Sequence, residues 1–274
     1  MDLNINSTQK LNNGVEIPLL GLGTWDLRGR DAYKAVLWSL DLGYRLIDTA
    51  SFYRNEKEVG EALKDTNIPR EEIFLTTKVW NNEQGYNNTL NAFEKSLERL
   101  KVDYVDLYLI HWPISGLRNK TWKALEKIYE GGKTRAMGVS NFTIRHLKEL
   151  FECSETIPTV NQIEFSPFLF QRELMDYCKS HKIVVEAYTP LTRGRKLDNR
   201  LVRALAQKHE KTPAQILIRW GLQHEIIEIP KSGSQQHLRE NVDVFDFTLN
   251  SEEMSQLDEL NEGFRLGNDP HFID

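Results

Sequence analysis

The chain has 274 residues, with 40 acidic against 35 basic side chains and a formal net charge of −5. This charge gives no attraction to nucleic acids, so no nucleic-acid partner is predicted. The two cysteines, Cys153 and Cys178, form neither a disulfide framework nor a CxxC pair, which is typical of a reducing compartment. Residues 1–9 are polar and no apolar run reaches bilayer-spanning length, so neither a signal peptide nor a membrane span is expected. We therefore expect a soluble cytoplasmic protein.

The N-terminal part of the sequence predicts a hairpin followed by a buried strand. Asn13-Gly14 lies in the middle of residues 11–17 and has the composition of a two-residue hairpin turn. The apolar residues 18–23 follow as the first buried strand.

From residue 18 onwards, apolar runs of strand length alternate with periodic stretches of helical length. The apolar runs lie at 18–23, 44–48, 73–78, 104–110, 134–139, 159–163, 182–187 and 225–229. The helical stretches lie at 32–42, 55–64, 88–100, 120–131, 143–152, 171–180 and 213–223. Strands separated by helices without a linker predict one α/β domain over residues 1–274, a single (β/α)8 TIM barrel.

Two further helices, at 197–210 and 251–260, are predicted outside this alternation. Asn55 is predicted to cap the helix at 55–64, with Glu58 completing a capping box. An open doubly wound sheet is the alternative fold. It usually carries a GxGxxG pattern after its first strand, and the segment Gly21-Leu22-Gly23-Thr24-Trp25-Asp26 lacks the third glycine.

Titratable residues stand where three of the predicted strands end, at Asp48, Lys78 and His111, and Tyr53 lies on the loop after Asp48. These ends meet on one face of a parallel barrel. We expect Lys78 to lower the phenol pKa from its usual value near 10, while Asp48 keeps the lysine charged. A histidine there can hydrogen-bond a carbonyl oxygen. The set is suited to donating a proton to an oxygen while hydride reaches the attached carbon.

Several short motifs follow one another along the chain. They are Gly21-Leu22-Gly23-Thr24-Trp25, Asp48-Thr49-Ala50 with Tyr53, Thr77-Lys78-Val79-Trp80, Leu109-Ile110-His111-Trp112-Pro113, Gly138-Val139-Ser140-Asn141-Phe142, Asn161-Gln162-Ile163-Glu164, and Ile229-Pro230-Lys231-Ser232 with Glu240-Asn241. In these motifs, and over almost its full length, the chain resembles the aldo-keto reductase superfamily. The tail at 261–270 resembles the prokaryotic branch that includes the 2,5-diketogluconate reductases.

The resemblance implies an NAD(P)H-dependent oxidoreductase that reduces aldehydes and ketones to alcohols. The substrates implied are small carbonyls, α-dicarbonyls or keto-sugars. The catalytic tetrad would be Asp48, Tyr53, Lys78 and His111, with Tyr53 as the general acid. NADPH would be the preferred cofactor, with NADH possible, and the implied assembly is a monomer or weak dimer. No metal is expected.

Cofactor and substrate contacts are also implied by position. The implied cofactor residues are Gly23, Thr24, Ser140, Asn141, Gln162, Tyr188, Thr189, Leu191, Lys231, Ser232, His237, Glu240 and Asn241. Among these, Ser140, Asn141 and Gln162 would hold the carboxamide, and Tyr188 would stack on the nicotinamide ring. The sequence departs from the family pattern at His237, where arginine is frequent. The 2′-phosphate is therefore expected to bind less tightly.

Trp25, Trp80 and Trp112 fall just beyond strand ends and would line the substrate pocket. The other tryptophans, Trp38, Trp122 and Trp220, have helical spacing and are expected in the core.

Simpler interpretations remain for several polar residues. Ser140 and Asn141 could cap the helix that begins near Thr143, and Asn161 and Gln162 could be strand-end groups satisfied by the backbone.

Two other function classes are less consistent with these residues. A cofactor-binding sensor or accessory protein on the same scaffold is disfavoured by the intact Tyr53 and Lys78. A metal-dependent barrel hydrolase or isomerase would need clustered histidine and carboxylate ligands at the strand ends, and His111 and Asp48 alone do not form such a cluster.

Overall fold

The computed structural model describes residues 3–273. The strands in this part of the chain are β1 (Thr8–Lys10), β2 (Glu16–Pro18), β3 (Gly21–Gly23), β4 (Leu46–Asp48), β5 (Phe74–Val79), β6 (Val105–Ile110), β7 (Thr134–Ser140), β8 (Val160–Glu164), β9 (Val184–Tyr188) and β10 (Ile227–Glu228). The helices are α1 (Gly29–Asp41), α2 (Glu56–Asp65), α3 (Tyr86–Leu100), α4 (Arg118–Glu130), α5 (Ile144–Cys153), α6 (Arg172–Ser180), α7 (Arg200–Lys208), α8 (Pro213–Gln223), α9 (Gln235–Val242) and α10 (Ser251–Asp258).

Eight parallel strands form the barrel, and β3 to β10 pair with one another in chain order. The last strand returns to the first, because Glu228 N–H donates to the Leu19 carbonyl and Gly23 N–H to the Pro230 carbonyl, at 2.9 and 3.3 Å. Gly23 is required at this seam, since a Cβ there would lie 2.6 Å from the carbonyl oxygen of Ile229. The predicted (β/α)8 TIM barrel is confirmed.

The two predicted extra helices are present as α7 and α10, and the other helices alternate with the barrel strands. Helix α9, after the last strand, was missed in the sequence. Its eight residues bury the side chains of Leu238 and Asn241 and are otherwise mostly polar, so they carry little apolar periodicity.

The hairpin β1–β2 is antiparallel, with Thr8 opposite Pro18. The predicted two-residue turn is wrong, because Leu11 N–H donates to the Val15 carbonyl at 2.8 Å and leaves a three-residue loop between them. Gly14 closes this loop at φ +89°, a backbone conformation that favours glycine. Pro18 belongs to the hairpin and not to the barrel strand.

This hairpin closes the N-terminal end of the barrel. Leu11 and Ile17 are buried among apolar side chains of the strands, including those of Leu46 and Phe74. The loop amides of the hairpin also bond the barrel, since Asn12 Nδ2 donates to the Pro158 carbonyl at 3.0 Å. The bottom of the barrel is therefore filled with apolar side chains.

A second, larger apolar layer lies between the barrel and its helices. Trp122 and Trp220 are fully buried there and Trp38 packs against it in a partly buried position, which agrees with their predicted core positions. None of the helices formed by residues 3–273 is long and apolar enough to cross a membrane.

Candidate active site

The opposite, C-terminal end of the barrel brings the predicted tetrad together. Asp48 ends β4, Lys78 lies near the end of β5, and His111 directly follows β6. Tyr53 closes a single 3-10 turn, Ser51–Tyr53, after β4. Lys78, Asp48 and His111 are buried, and Tyr53 is partly exposed.

The ammonium group of Lys78 is held by three oxygen atoms. Nζ donates to Asp48 Oδ1 at 2.7 Å, to the Thr49 carbonyl at 2.8 Å and to the Tyr53 hydroxyl at 3.3 Å. An ammonium has three N–H donors, so its hydrogen-bonding capacity is fully used. The buried charge is thereby paired, and it is fixed beside the phenol.

The turn that carries Tyr53 is anchored by its two preceding residues. Ser51 Oγ donates to Glu83 Oε2 at 2.6 Å, and the same carboxylate oxygen accepts from Trp80 N–H at 3.2 Å. Phe52 stacks on Trp80 with ring centroids 3.7 Å apart. These contacts fix the loop after β4 against the loop after β5.

The pKa of Tyr53 differs from the sequence-based expectation. Burial first, and then the negative charges of Asp48 and Glu186, raise the pKa of Tyr53 well above its ordinary value. The predicted lowering by Lys78 is wrong in this structure, since the ammonium lies closer to Asp48 and its charge is balanced there. Tyr53 therefore keeps its proton at neutral pH, which is the form that a proton donor needs.

His111 is neutral for a related reason. Burial first, and then the charge of Lys78, lower the pKa of His111 well below its ordinary value. Its ring stands edge-on to Trp80 and Tyr53, with centroid distances of 4.9 and 5.6 Å. Within residues 3–273, its buried Nδ1 has no hydrogen-bond partner. A neutral imidazole can donate one hydrogen bond to a substrate oxygen without competing for the proton of Tyr53.

Asn55 has a different role from the one predicted. It precedes α2, but its side chain makes no cap bond and no capping box with Glu58. Instead Oδ1 accepts from Thr49 Oγ1 at 2.7 Å, and Nδ2 donates to the carbonyls of Thr24 and Leu27 at 2.8 and 2.9 Å. The amide is fully buried, so these tertiary partners satisfy it and join two loops of the barrel mouth.

The residues implied to hold the nicotinamide carboxamide form one hydrogen-bonded row. Ser140 Oγ donates to the Gln162 carbonyl at 2.9 Å, and Asn141 Nδ2 donates to the His111 carbonyl and to Ser140 Oγ, both at 3.0 Å. Tyr188, partly exposed at the end of β9, donates its hydroxyl to Asn141 Oδ1 at 2.7 Å. The structure thus places all four beside the tetrad.

The simpler interpretation of Ser140 and Asn141 as caps of α5 does not hold. Thr143 is the N-cap, and its side chain accepts from His146 N–H. Asn161, by contrast, is a strand-end amide satisfied by backbone, since its Nδ2 donates to the Phe142 carbonyl at 2.9 Å.

Gln162 joins two buried carboxyl groups. Its Nε2 donates to Asp48 Oδ2 at 2.9 Å and to Glu186 Oε2 at 2.7 Å. Burial raises the pKa of Asp48, and the ammonium of Lys78 opposes that rise. Burial and the neighbouring Asp48 raise the pKa of Glu186 to about 8. Sequence reasoning gave Glu186 no role, although a charged residue inside an apolar strand is an unusual signal.

Four more of the implied cofactor residues, Gly23, Thr24, Thr189 and Leu191, lie on both sides of the mouth. Thr24 Oγ1 donates to the Asp48 carbonyl at 2.9 Å, next to Gly23 at the seam. Thr189 has a φ of +58° and begins the loop that contains Leu191. This loop carries Arg193 over the ring of Trp25, at 4.3 Å from its centroid.

The remaining implied cofactor residues lie just before and along α9. Ser234 caps this helix, and Ser232 Oγ accepts from the Ser234 N–H at 3.0 Å. The exposed side chains of Lys231 and His237 flank the same helix end. Glu240 and Asn241 lie in the last turn of this helix and are half-buried and buried, respectively. A helix N-terminus beside a lysine favours a bound phosphate.

The three predicted pocket tryptophans are not equivalent. Trp80 contacts His111 directly, whereas Trp112 is partly buried and its carbonyl accepts from Gln84 Nε2 at 2.7 Å. Trp25 is 40% exposed and lies under Arg193. Phe52 was not predicted to line the pocket. It contributes more to the pocket wall beside the tetrad than Trp25 or Trp112, because it is 44% exposed and stacks on Trp80.

The arrangement fits a nicotinamide cofactor on two observations. No hydrogen bond reaches Gln162 Oε1 from any residue in 3–273, so this oxygen can accept from a carboxamide N–H. The helix end at Lys231 supplies N–H donors and a positive charge for a phosphate. Tyr188 lies between these two regions in chain order, with part of its ring accessible.

Comparisons with known proteins agree with this geometry. The Aldo/keto reductase family profile matches residues 19–262. Glyoxal reductase of Bacillus subtilis (strain 168) is 50% identical over 271 residues, covering 98% of each chain.

Two solved structures of aldo-keto reductase fold are also similar. The enzyme MGS-M4, from a Medee basin deep-sea metagenome library, superposes with a TM-score of 0.94 at 48% identity, covering 97% of this chain and 99% of that one. A Gox0644 variant in complex with NADPH gives 0.93 at 40% identity, covering 98% of both. With its barrel, its tetrad geometry and these likenesses to bacterial relatives, the chain belongs to the aldo/keto reductase family.

Proposed function

We propose that this NADPH-using carbonyl reductase delivers the proton of its reaction from Tyr53, and that its substrates are small aldehydes, α-dicarbonyls and keto-sugars. The observation that carries the proposal is the buried Lys78, whose Nζ lies 2.7 Å from Asp48 Oδ1 and 3.3 Å from the Tyr53 hydroxyl. The ammonium lies where it can stabilise the phenolate that forms when Tyr53 gives up its proton.

Each residue of the tetrad then has one task. Bound NADPH supplies hydride to the carbonyl carbon. His111, neutral and edge-on to Tyr53, orients the carbonyl oxygen by a hydrogen bond. Tyr53 gives its phenolic proton to that oxygen. Lys78 stabilises the phenolate that remains, and Asp48 keeps Lys78 charged and in place.

The proposed preference for NADPH over NADH depends on the residues around the start of α9. Lys231, Ser232 and the N-terminus of α9 together provide a positive charge, a hydroxyl and backbone N–H donors for a 2′-phosphate. His237 offers imidazole nitrogens, whereas arginine would offer a permanent charge and a planar guanidinium with paired N–H donors. We therefore propose that NADPH is preferred over NADH, but less strongly than in a relative with arginine at this position.

The substrate range follows from the walls of the site. The side chains of Phe52 and Trp25 at the mouth are 44% and 40% exposed, which supports an open pocket. The similar protein of Bacillus subtilis is named a glyoxal reductase, and small α-dicarbonyls suit a pocket of this kind. Stacked aromatic rings at Phe52 and Trp80 add an apolar surface for a short carbon chain.

We propose a cytoplasmic enzyme that acts as a single domain over residues 1–274, as a monomer or weak dimer, without a nucleic-acid partner. The two free cysteines support a reducing compartment, and the net charge of −5 supports the absence of a nucleic-acid partner.

The experiment is a screen of NADPH oxidation by the purified protein with aldehydes, α-dicarbonyls and keto-sugars, repeated with NADH. We expect turnover with several small carbonyls and a lower KM for NADPH. Tight NADPH binding without turnover of any carbonyl would overturn the proposed reaction in favour of a cofactor-sensing role.

A further inference from the structure

Glu186 is a buried carboxyl group that the tetrad does not use. It lies in β9, where its Cα pairs with Gln162 of β8 on one side and with Ile227 of β10 on the other. Residues opposite each other in parallel strands share a face, and Ile227 belongs to the cluster inside the barrel. The side chain of Glu186, which is 0% exposed, therefore points into the barrel beneath the mouth.

The two carboxyl groups fix which way the Gln162 amide faces. Its nitrogen carries two hydrogens, one for Asp48 Oδ2 at 2.9 Å and one for Glu186 Oε2 at 2.7 Å. A flipped amide would place its oxygen against Oδ2 of Asp48, the carboxylate that pairs with Lys78, which has no hydrogen to donate. The orientation is therefore set, and Oε1 is directed away from both carboxyl groups.

We propose that Glu186 is a positioning residue for the cofactor: with Asp48 it holds the Gln162 amide so that Oε1 is the acceptor offered to the nicotinamide carboxamide. This inference rests on the proposed function, because it takes the nicotinamide to lie at Gln162. Asp48 alone also restrains the amide, but it leaves the second N–H without an acceptor and allows rotation about the single remaining bond.

Glu186 also contributes charge at a point beside the cofactor. Besides burial, the charge of Asp48 raises the pKa of Glu186, and the hydrogen bond from Gln162 and the charge of Lys78 lower it. Its own charge acts in turn on Tyr53. One ammonium balances one of the two carboxylates, so Glu186 is the group that gains or loses a proton in the range where its pKa, about 8, lies. The nicotinamide ring is cationic in NADP+ and neutral in NADPH, so an ionised Glu186 favours NADP+.

Two substitutions separate the hydrogen bond from the charge. Glu186→Gln keeps an oxygen that can accept from Gln162 and removes the titration. Glu186→Val removes both. Glu228→Gln is the matched control, because Glu228 is a buried carboxyl on the next strand that packs beside Gly221 of α8, outside the barrel interior.

The first measurement is the dissociation constant of NADPH at pH 6.5, by fluorescence titration, with thermal unfolding of each variant as a check of the fold. We expect Glu186→Val to bind NADPH about 10-fold more weakly, the equivalent of one lost hydrogen bond. Glu186→Gln should stay within about 2-fold of wild type, and so should Glu228→Gln. A folded Glu186→Val variant with wild-type affinity, or a Glu186→Gln variant as weak as Glu186→Val, would overturn the positioning role.

The second measurement is the ratio of the NADP+ and NADPH dissociation constants from pH 6.5 to 9. In wild type and Glu228→Gln we expect NADP+ to gain affinity relative to NADPH as Glu186 ionises, by about 10-fold or less. In Glu186→Gln this change should be absent. The same pH dependence in Glu186→Gln would show that another group titrates and would overturn the electrostatic part.

The two proposals fail in different ways. Wild-type protein that binds neither cofactor would contradict the proposed function itself. Wild-type protein that binds NADPH normally while all three variants match it would contradict only the role of Glu186.

Discussion

The two ends of the barrel are made by the same eight strands and are chemically opposite. At the N-terminal end, Leu11 and Ile17 of the hairpin fill the interior with apolar side chains. At the C-terminal end, an ammonium and two carboxyl groups are buried within hydrogen-bond distance of one another or of Gln162. Burying apolar area stabilises a fold, whereas burying charges costs desolvation that their pairing only partly offsets. Inside the barrel, stabilising apolar burial therefore lies at one end and the chemistry at the other.

Removing the cation from the mouth should give the largest effect. Lys78→Met leaves Asp48 buried without a partner and removes the group that stabilises the phenolate. We expect both carbonyl reduction and alcohol oxidation to fall by at least about 10²–10⁴-fold, and the free energy of unfolding to fall by about 3–5 kcal/mol. Steady-state rates in both directions and urea unfolding provide the check. Unchanged pH–rate profiles in both directions would contradict this role for Lys78.

A substitution at the N-terminal end of the barrel should lower the stability of the fold and leave catalysis unchanged. Ile17→Ala empties part of the barrel bottom and should lower the free energy of unfolding by about 2–5 kcal/mol. The kcat of the folded variant should stay within about 2-fold of wild type. Val15→Ala, on the same hairpin but only half-buried, is the control and should cost less stability. A large loss of kcat in Ile17→Ala at low temperature would show that the two ends are coupled.

Glu228 is a buried carboxyl group away from the site, and its ionisation should lower the free energy of unfolding as pH rises. Burial raises the pKa of Glu228 well above its ordinary value, and its Oε2 has no partner within residues 3–273. A raised folded-state pKa gives stability that is full below the unfolded pKa near 4.3 and is lost as pH rises through the folded pKa. Relative to Glu228→Gln, wild type should therefore lose about 1.4 kcal/mol per pH unit in that window.

Urea unfolding of both proteins at several pH values between 5 and 9 measures this difference. Parallel stability curves for wild type and Glu228→Gln would show that the carboxyl group does not stay protonated in the fold.

The smallest effect is expected at His237, at the far end of the cofactor groove. A second phosphate pKa near 6 leaves the 2′-phosphate with about −1.5 to −2 charges at neutral pH, and His237 is exposed. His237→Arg should tighten NADPH by several-fold up to about 10-fold and leave NADH nearly unchanged. Dissociation constants for both cofactors at fixed ionic strength decide the matter. The control is Arg239→Gln, since Arg239 is an exposed cation on the same helix. Equal changes for both cofactors would mean that position 237 does not contact the phosphate.

The parts of this molecule that sequence reasoning predicted are those with a local signal. Strand-length apolar runs separated by amphipathic helices give the barrel, and parallel topology then collects the strand ends on one face. Asp48, Lys78 and His111 could therefore be placed together before any contact was known. The two helices predicted outside the alternation rest on equally local patterns, and they are present as α7 and α10.

The parts that were missed depend on contacts between distant segments. Asn55 has the sequence of a helix cap, but its amide is satisfied by the backbone at Thr24 and Leu27, about one βα unit away. Glu186 bonds Gln162 only because the register of β8 and β9 sets them side by side. The raised pKa of Tyr53 is likewise a sum over burial and two carboxyl groups from other strands. Single-sequence patterns carry none of this information.

The central claim is that Tyr53 is the proton donor at the mouth of the barrel. Tyr53→Phe keeps the ring and its edge-on contact with His111, and removes only the hydroxyl. Measured together, kcat for a reactive aldehyde and the dissociation constant of NADPH separate chemistry from binding. The account predicts that kcat falls by about 10²–10⁴-fold while NADPH affinity stays close to wild type. A variant that retains turnover within a few-fold of wild type would contradict it.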